Sequence, residues 1–284
     1  MKYILFTFIL VTRSAFAASP VWLVESDHYK IYLAGTIHLL RSSDYPLPDA
    51  FELAYQQSQS LAFETDIGGS NSPAFQSQLM KAVSLPQNQS LKDIISAETF
   101  AELESHFAKN HLSVNQFIKF KPSMVAISLT LLELEKLGVS NYGVDQYFFN
   151  LAQQDMKKTL ALESLQQQID FIANMGKGQE DQMIRQTLED IETMRELFSD
   201  MLTSWKTGDI QQLEEMFILP MQQEFDTLYQ QLLVQRNLNW LPQIYDYLKT
   251  PETEMVLVGS AHLLGKDGLI NHLKQAGYRV TQLE

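Results

Sequence analysis

A nine-residue phrase occurs twice in this chain, once near each end, and it constrains the fold more than any other feature. Residues 32–40 read Y-L-A-G-T-I-H-L-L, and residues 256–264 read V-L-V-G-S-A-H-L-L. Leu, Gly, His, Leu and Leu coincide in register, and Thr36 answers to Ser260. Each copy is an apolar run of strand length stopped by a Gly, with a His three residues later. One local geometry repeated in distant parts of a chain predicts that His38 and His262 serve a single site.

A second pair supports the first. Leu61-Ala62-Phe63-Glu64-Thr65 resembles Leu160-Ala161-Leu162-Glu163-Ser164, each an apolar strand ending in Glu and a hydroxyl residue. Ligands of open parallel sheets sit beyond the carboxyl ends of the strands, so His38, Glu64, Glu163 and His262 are expected at one edge. Two His with one or two carboxylates make a nitrogen and oxygen donor set suited to zinc, manganese or cobalt. Such an ion polarises a carbonyl and acidifies water, which is the chemistry of hydrolysis. Glu64 or Glu163 would then handle protons, although Glu163 equally suits a cap for a helix starting near Ser164.

Four polar residues flank this set as candidate substrate contacts: Thr36, Asp145, Asn237 and Ser260. The hydroxyls of Thr36 and Ser260 could donate to a reacting oxygen or cap the following turn. Asp145 fits a helix N-cap or a partner for a ligating His, with the cap preferred. In Arg236-Asn237-x-x-Trp240, the Arg could clamp a substrate carboxylate or pair with Glu64 or Glu163. His28, His106, His111 and His272 lack comparable context and read as surface residues. Neither an H-E-x-x-H zinc helix nor a G-x-S-x-G nucleophile elbow is present in the sequence.

The amino terminus reads as a leader rather than as part of the fold. Lys2, an apolar run over residues 4–11 and Ala15-Phe16-Ala17 form a signal-peptide pattern, so residues 1–17 are expected to be removed and the protein to be periplasmic or secreted. No stable membrane anchor is expected after that cleavage. The chain has no Cys, which excludes thiol catalysis, thiolate zinc and iron–sulfur clusters. Loss of Lys2 and Arg13 takes the formal charge from −13 to −15, a balance that repels nucleic-acid phosphates. The expected partner is a peptide or small-molecule substrate, and exposed helical faces leave room for a homo-oligomer.

Along the chain, residues 21–25 and 30–34 read as paired strands, followed by a loop over residues 35–38, a helix over 49–59 and a strand over 60–64. Residues 68–73 read as a loop. Helices follow over 123–137 and 144–154, with a strand over 159–163 between them and a largely helical stretch. That stretch, residues 164–250, carries an apolar Met-rich stripe at spacings of three and four, best explained as core packing. Thr207-Gly208-Asp209 marks a stop and a new N-cap within it. A strand over 254–259, a helix over 266–275 and a strand over 278–282 close the chain. The expected fold is α/β (α+β): one domain over residues 18–284, with a sheet built from both ends of the chain and a large helical insertion.

The ordered set Gly35-Thr36-x-His38, Glu64, Gly143-Val144-Asp145, Leu162-Glu163, Arg236-Asn237-x-x-Trp240 and Val258-Gly259-Ser260-x-His262-Leu263-x-Gly265-x-x-Gly268-Leu269, closed by Gly277-Tyr278-x-Val280, resembles the TraB/GumN family. The animal Tiki proteins are related to that family. The resemblance implies a mixed sheet of two related halves and a metal-dependent hydrolase, peptidase or amidase-like, with His38, Glu64 and His262 as the metal site. Two alternatives stand beside it: a non-catalytic protein that binds a peptide or small ligand in the same cleft, and a haem or iron carrier with His38 and His262 as axial ligands.

Overall fold

The computed structural model describes residues 18–140 and 142–284. The leader expected over residues 1–17 lies outside the described residues. Six strands form one mixed sheet in the order β4-β3-β5-β2-β1-β6. They are β1 (Val21–Glu25), β2 (Lys30–Thr36), β3 (Ser60–Phe63), β4 (Lys158–Ala161), β5 (Glu254–Gly259) and β6 (Arg279–Gln282). β4, β3, β5 and β2 run parallel to one another, while β1 is antiparallel to both β2 and β6.

The sequence explains this order. Residues 31–34 of β2 and 255–258 of β5 are continuously apolar and almost fully buried, as central parallel strands covered on both faces must be. Ser26 closes the β1–β2 hairpin: its amide donates to the Tyr29 carbonyl at 2.8 Å and its hydroxyl accepts from the Tyr29 amide at 3.0 Å. β2 leads through a helix to β3 with parallel strands, as the strand–helix–strand pattern predicts. β5, returning from the far end of the chain, fills the place between them.

The two related halves are visible in the sheet. β2 and β5, which carry the repeated phrase, lie side by side, and so do β3 and β4, which carry the two Leu-Ala-x-Glu copies. In each pair the copies are stepped by one residue, since Thr36 stands opposite Gly259 and Phe63 opposite Ala161.

Helices cover the sheet and continue beyond it. Before β4 come α1 (Asp49–Gln57), α2 (Ile67–Ser70), α3 (Pro73–Val83), α4 (Ala97–Lys109), α5 (Pro122–Lys136) and α6 (Val144–Gln154). Between β4 and β5 lie α7 (Leu165–Asn174), α8 (Glu180–Lys206), α9 (Ile210–Leu213), α10 (Leu219–Glu224), α11 (Asp226–Tyr229) and α12 (Gln235–Tyr247), and α13 (Leu269–Gln275) precedes β6. Two π-helical turns, Glu214–Ile218 and Gln230–Val234, interrupt the second group. Among the described residues no helix is long and apolar enough to cross a membrane.

The Met-rich stripe is core. Met183, Ile184, Ile191, Met194, Phe198, Leu202 and Trp205 of α8 are all buried. Trp205 has a second task, because its indole N–H donates to the Gly35 carbonyl at 2.8 Å and ties α8 to the end of β2. Thr207 ends α8, Gly208 adopts φ +63°, and the Asp209 carboxylate accepts from the Gln212 amide at 3.0 Å to start α9. A positive φ of this kind strains any residue with a Cβ, so Gly is the residue that permits this stop.

Several boundaries differ from the sequence reading. β2 continues through Thr36, because parallel pairing with β5 extends past the Gly. α2 stands where a loop was expected, initiated by the Asp66 side chain accepting from the Gly69 amide at 3.0 Å. α13 starts three residues late because Gly265, at φ +74°, turns the chain and Gly268 takes the N-cap position. β4 stops at Ala161, although the Leu162 and Glu163 amides still donate to the Phe63 and Glu64 carbonyls at 2.9 Å. His28 and His111 are exposed as expected, but His106 and His272 are half-buried, His106 lying beside Asn110 at 3.2 Å.

Candidate active site

The parallel strands deliver their carboxyl ends to one edge, and the repeated residues meet there. His38 follows β2, Glu64 follows β3, Glu163 lies just beyond β4, and His262 sits in a short 3-10 turn, Ser260–Leu263, directly after β5. Arg236, Asn237 and Trp240 reach the same edge from one face of α12.

Arg236 is the hub. Its Nε donates to Glu163 Oε2 at 3.0 Å, and its Nη2 donates to Glu163 Oε1 at 2.7 Å and to Glu64 Oε2 at 2.5 Å. Its Nη1 approaches His262 Nε2 at 3.0 Å. Trp240 completes the clamp, donating its indole N–H to Glu163 Oε2 at 3.2 Å while its ring lies 4.7 Å from the guanidinium. The planar fork of Arg, which can serve two carboxylates at once, is the chemistry this position requires. Both Glu163 oxygens are thus taken, and Ser164 rather than Glu163 caps α7.

The two imidazoles are held in the same tautomer. Asn237 Nδ2 donates to the His262 and Asp267 carbonyls at 3.1 and 2.9 Å, so its Oδ1 must face His262 Nδ1, 2.8 Å away. His262 Nδ1 therefore carries the proton, and the bare Nε2 accepts from Arg236. His38 Nδ1 lies 2.7 Å from Asp145 Oδ2, which fixes its proton in the same place. Both Nε2 atoms then point toward one oxygen, Glu64 Oε1, at 3.9 Å from His38 and 3.8 Å from His262.

Asp145 is a partner of His38 and not a helix cap. Gly143 occupies the N-cap of α6, and the Asp145 carboxylate accepts from Thr36 Oγ1 at 3.0 Å as well as holding His38. Gly143 is needed there because a Cβ would overlap the backbone C and O of His38. Ser260 Oγ donates to the Thr36 carbonyl at 3.1 Å, linking the two copies of the phrase. Thr36, Asp145, Asn237 and Ser260 all lie at the site, and the hydrogen bonds they make are to each other and to the two His loops.

Burial and charge sort the titratable groups. Burial is the largest influence on the Glu64 carboxyl and pushes it up, but Arg236, the two imidazoles and the Gly259 amide together outweigh it and hold Glu64 well below the usual carboxylate range. Burial pushes His262 down to about 3, which leaves it neutral. The Asp145 carboxylate raises His38 to about 9 against the cost of burial. The His38 ring leaves 59 % of its side-chain surface open, where water screens part of that pull. Arg236 is driven up by Glu64 and Glu163 despite its burial.

A cleft of about 330 Å³ opens over His38, Glu64, Arg236 and His262. Its walls are apolar and come largely from residues 201–233, among them Met201, Trp205, Phe217 and Leu232. These wall residues carry no signal in the sequence that separates them from core, because an apolar helical stripe reads the same in both settings. A larger hollow of about 540 Å³ lies against α5, with Glu135 its one ionisable side chain.

Among the described residues no three His, Asp or Glu side chains stand close enough as a group to hold a metal ion. The donor chemistry nevertheless suits one. Two imidazoles with Nδ1 locked by an acceptor turn Nε2 toward the site, the arrangement that metal-ligating His adopts, and an ion there would displace the Nε2 proton of His38 and the Arg236 bond of His262. A Cβ built on Gly259 would lie 3.3 Å from Glu64 Oε1, 3.4 Å from His38 Nε2 and 3.7 Å from His262 Cδ2, so the absent side chain leaves a hollow among all three. Tetrahedral donors at about 2.0–2.1 Å from zinc stand about 3.3–3.4 Å apart, a few tenths of an ångström closer than the 3.8 and 3.9 Å here.

The sequence matches the model of the TraB/PrgY/gumN family over residues 20–282. It is 26% identical over 260 residues to the uncharacterised protein YbaP of Escherichia coli (strain K12), covering 90% of this chain and 92% of that one. It is 25% identical to the metalloprotease TIKI1 and 24% identical to the metalloprotease TIKI2 of Xenopus tropicalis, covering 92% of this chain in each case. The chain spans 61% and 59% of the length of those two relatives. No solved structure is matched. The chain belongs to the TraB/PrgY/gumN family.

Proposed function

We propose that this protein is an exported, metal-dependent hydrolase of peptide or other amide bonds. The observation that carries the reading is the convergence of two Nδ1-protonated imidazoles on one carboxylate oxygen, Glu64 Oε1, at the floor of an apolar cleft. Similarity to proteins named metalloproteases supports the same reaction class. His38, Glu64 and His262 would hold the ion, with zinc, manganese or cobalt as candidates for such a donor set. When bound, a divalent ion supplies a Lewis acid and an acidified water.

The remaining roles follow from the chain's own groups. Asp145 and Asn237 keep the proton on Nδ1 of each His and aim Nε2 into the site, where an ion would displace the second proton of His38 and the Arg236 bond of His262. Glu64 is the carboxylate that lines the cleft, so proton handling falls to it. Glu163 acts through Arg236, which it fixes from two sides together with Trp240. Four of the five guanidinium N–H groups have partners, which leaves one at Nη1 to donate to a substrate oxygen. The leader pattern in residues 1–17 supports export to the periplasm or beyond the cell.

A second reading has its own observation. Arg236 occupies the lone pair of His262 Nε2, which suits a cleft that binds a peptide or small ligand without turnover. Incubation of residues 18–284 with a mixed peptide pool and each ion, or with a chelator, separates the two. Turnover predicts cleavage that needs metal and disappears in His38→Ala, Glu64→Gln and His262→Ala. Retention of peptides without cleavage by folded, metal-supplied protein supports the binding reading.

A further inference from the structure

We infer that the cleft is a specificity subsite for one large apolar side chain, aliphatic or aromatic, within an uncharged stretch of peptide. This deepens the hydrolase reading and rests on it for turnover, but not for binding. Two features of the wall point to it.

The first is how the wall is made. Phe217 and Ile218 come from one π-helical turn, and Leu232 and Leu233 from the other. Each turn therefore sets two neighbouring apolar residues against the same cavity, and Met201 and Trp205 of α8 share its lining. Pro220 gives the first π turn a cause: it has no N–H for the carbonyl four residues back, and the Leu219 amide bonds instead to Glu214. π turns inside α-helices are costly and recur at functional sites. The first turn is anchored to the segment after His262 by the Gly265 amide on Glu214 Oε1 at 2.8 Å, and the residue that leads into the second, Tyr229, donates its Oη–H to Asp267 at 2.8 Å. The apolar wall and the polar floor are thus built as one unit.

The second feature is charge. Arg236, His38 and His262 are the basic side chains of the cleft lining, and the guanidinium is already shared between Glu64 and Glu163. No unpaired cation among the lining residues remains to receive a substrate carboxylate. With Asp145 and Glu163 close behind, a free carboxyl terminus or an acidic side chain would be repelled. The volume, about 330 Å³, stands at the lower end of the range of about 300–1,000 Å³ for ligand sites. It suits one or two residues of an extended peptide and is short for a long acyl chain.

The test uses peptides acetylated at the amino end and amidated at the carboxyl end, of sequence Ala-Ala-Xaa-Ala-Ala, with Xaa Leu, Phe, Asp or Lys. Their binding to metal-free protein by calorimetry, and their cleavage with zinc, manganese or cobalt, are measured separately. Leu and Phe peptides are expected to bind about 10- to 100-fold better than Asp or Lys peptides, as burial of one such side chain implies. Phe217→Ala should reduce that preference, and Leu232→Lys should shift it toward the Asp peptide. Selective binding without cleavage upholds the subsite and removes the hydrolase reading. Equal binding of all four peptides, no peptide binding at millimolar concentration, or stronger binding of an N-lauroyl amide than of the Leu peptide overturns the subsite.

Discussion

Replacing Arg236 with Met should destabilise the protein strongly, and by an amount that depends on pH in a defined direction. Arg236 and Glu64 each keep 10 % of their side-chain surface exposed and Glu163 keeps 5 %, so water contributes little screening. Removing the one cation leaves two buried carboxylates facing each other, which costs about 3–5 kcal/mol for a broken buried pair. At about 2–4 °C per kcal/mol for a chain of this size, the melting temperature should fall by about 6–20 °C at pH 7. Glu64 is held well below the usual carboxylate range, so its contribution to stability is present above the unfolded value near 4.5 and is lost as pH falls. Without Arg236, burial pushes the Glu64 carboxyl up, and it takes a proton at higher pH than in the native protein. The difference between native and variant should therefore be greatest near neutrality and shrink by at least half by about pH 4.5. Urea denaturation in the presence of a chelator, at several pH values, measures this. Adding Glu163→Met to Arg236→Met should restore part of the loss, because an apolar replacement of a buried pair is often tolerated. A loss below about 1 kcal/mol at pH 7, or one independent of pH, would refute the reasoning.

Three further outcomes follow from the same geometry. Asp145→Asn should bring the His38 titration down from about 9 toward its ordinary value near 6.5, as read by histidine NMR, and an unchanged titration contradicts the Asp145 contact. Gly143→Ala should cost about 1–3 kcal/mol by forcing the His38 backbone aside, with weakened metal binding in a protein that still folds; wild-type affinity would show that the close approach is unimportant. Trp205→Phe keeps the ring but leaves the Gly35 carbonyl without its donor, for about 1–3 kcal/mol, and a neutral result in denaturation would contradict the tie between α8 and β2.

The repeated phrase was enough to read the central sheet, because strand length, a Gly stop and a His at fixed spacing leave little freedom. Residues Val144–Gln154 and Glu254–Gly259 form the helix and the strand that their patterns predict. What the sequence could not show was pairing that depends on the other end of the chain. Thr36 looked like a loop residue because its partner, Gly259, lies 223 positions away in sequence. Asp145 looked like a cap because capping is local and readable, whereas its contacts with Thr36 and His38 are long-range. Arg236 was legible as a carboxylate partner, but that it joins Glu64, Glu163 and His262 together required the third dimension. The π turns were invisible, since Phe217 and Leu232 have the same periodicity on a cleft wall as in a core.

The central claim is that His38, Glu64 and His262 form one ion site, and metal bound to the purified chain tests it most directly. Elemental analysis and calorimetric titration with zinc, manganese and cobalt should find one ion per chain in the wild type. That ion should be lost in His38→Ala, in Glu64→Ala and in His262→Ala alike, each shown to be folded. A folded wild-type protein that binds none of the three ions, or variants that bind as well as the wild type, would contradict the account.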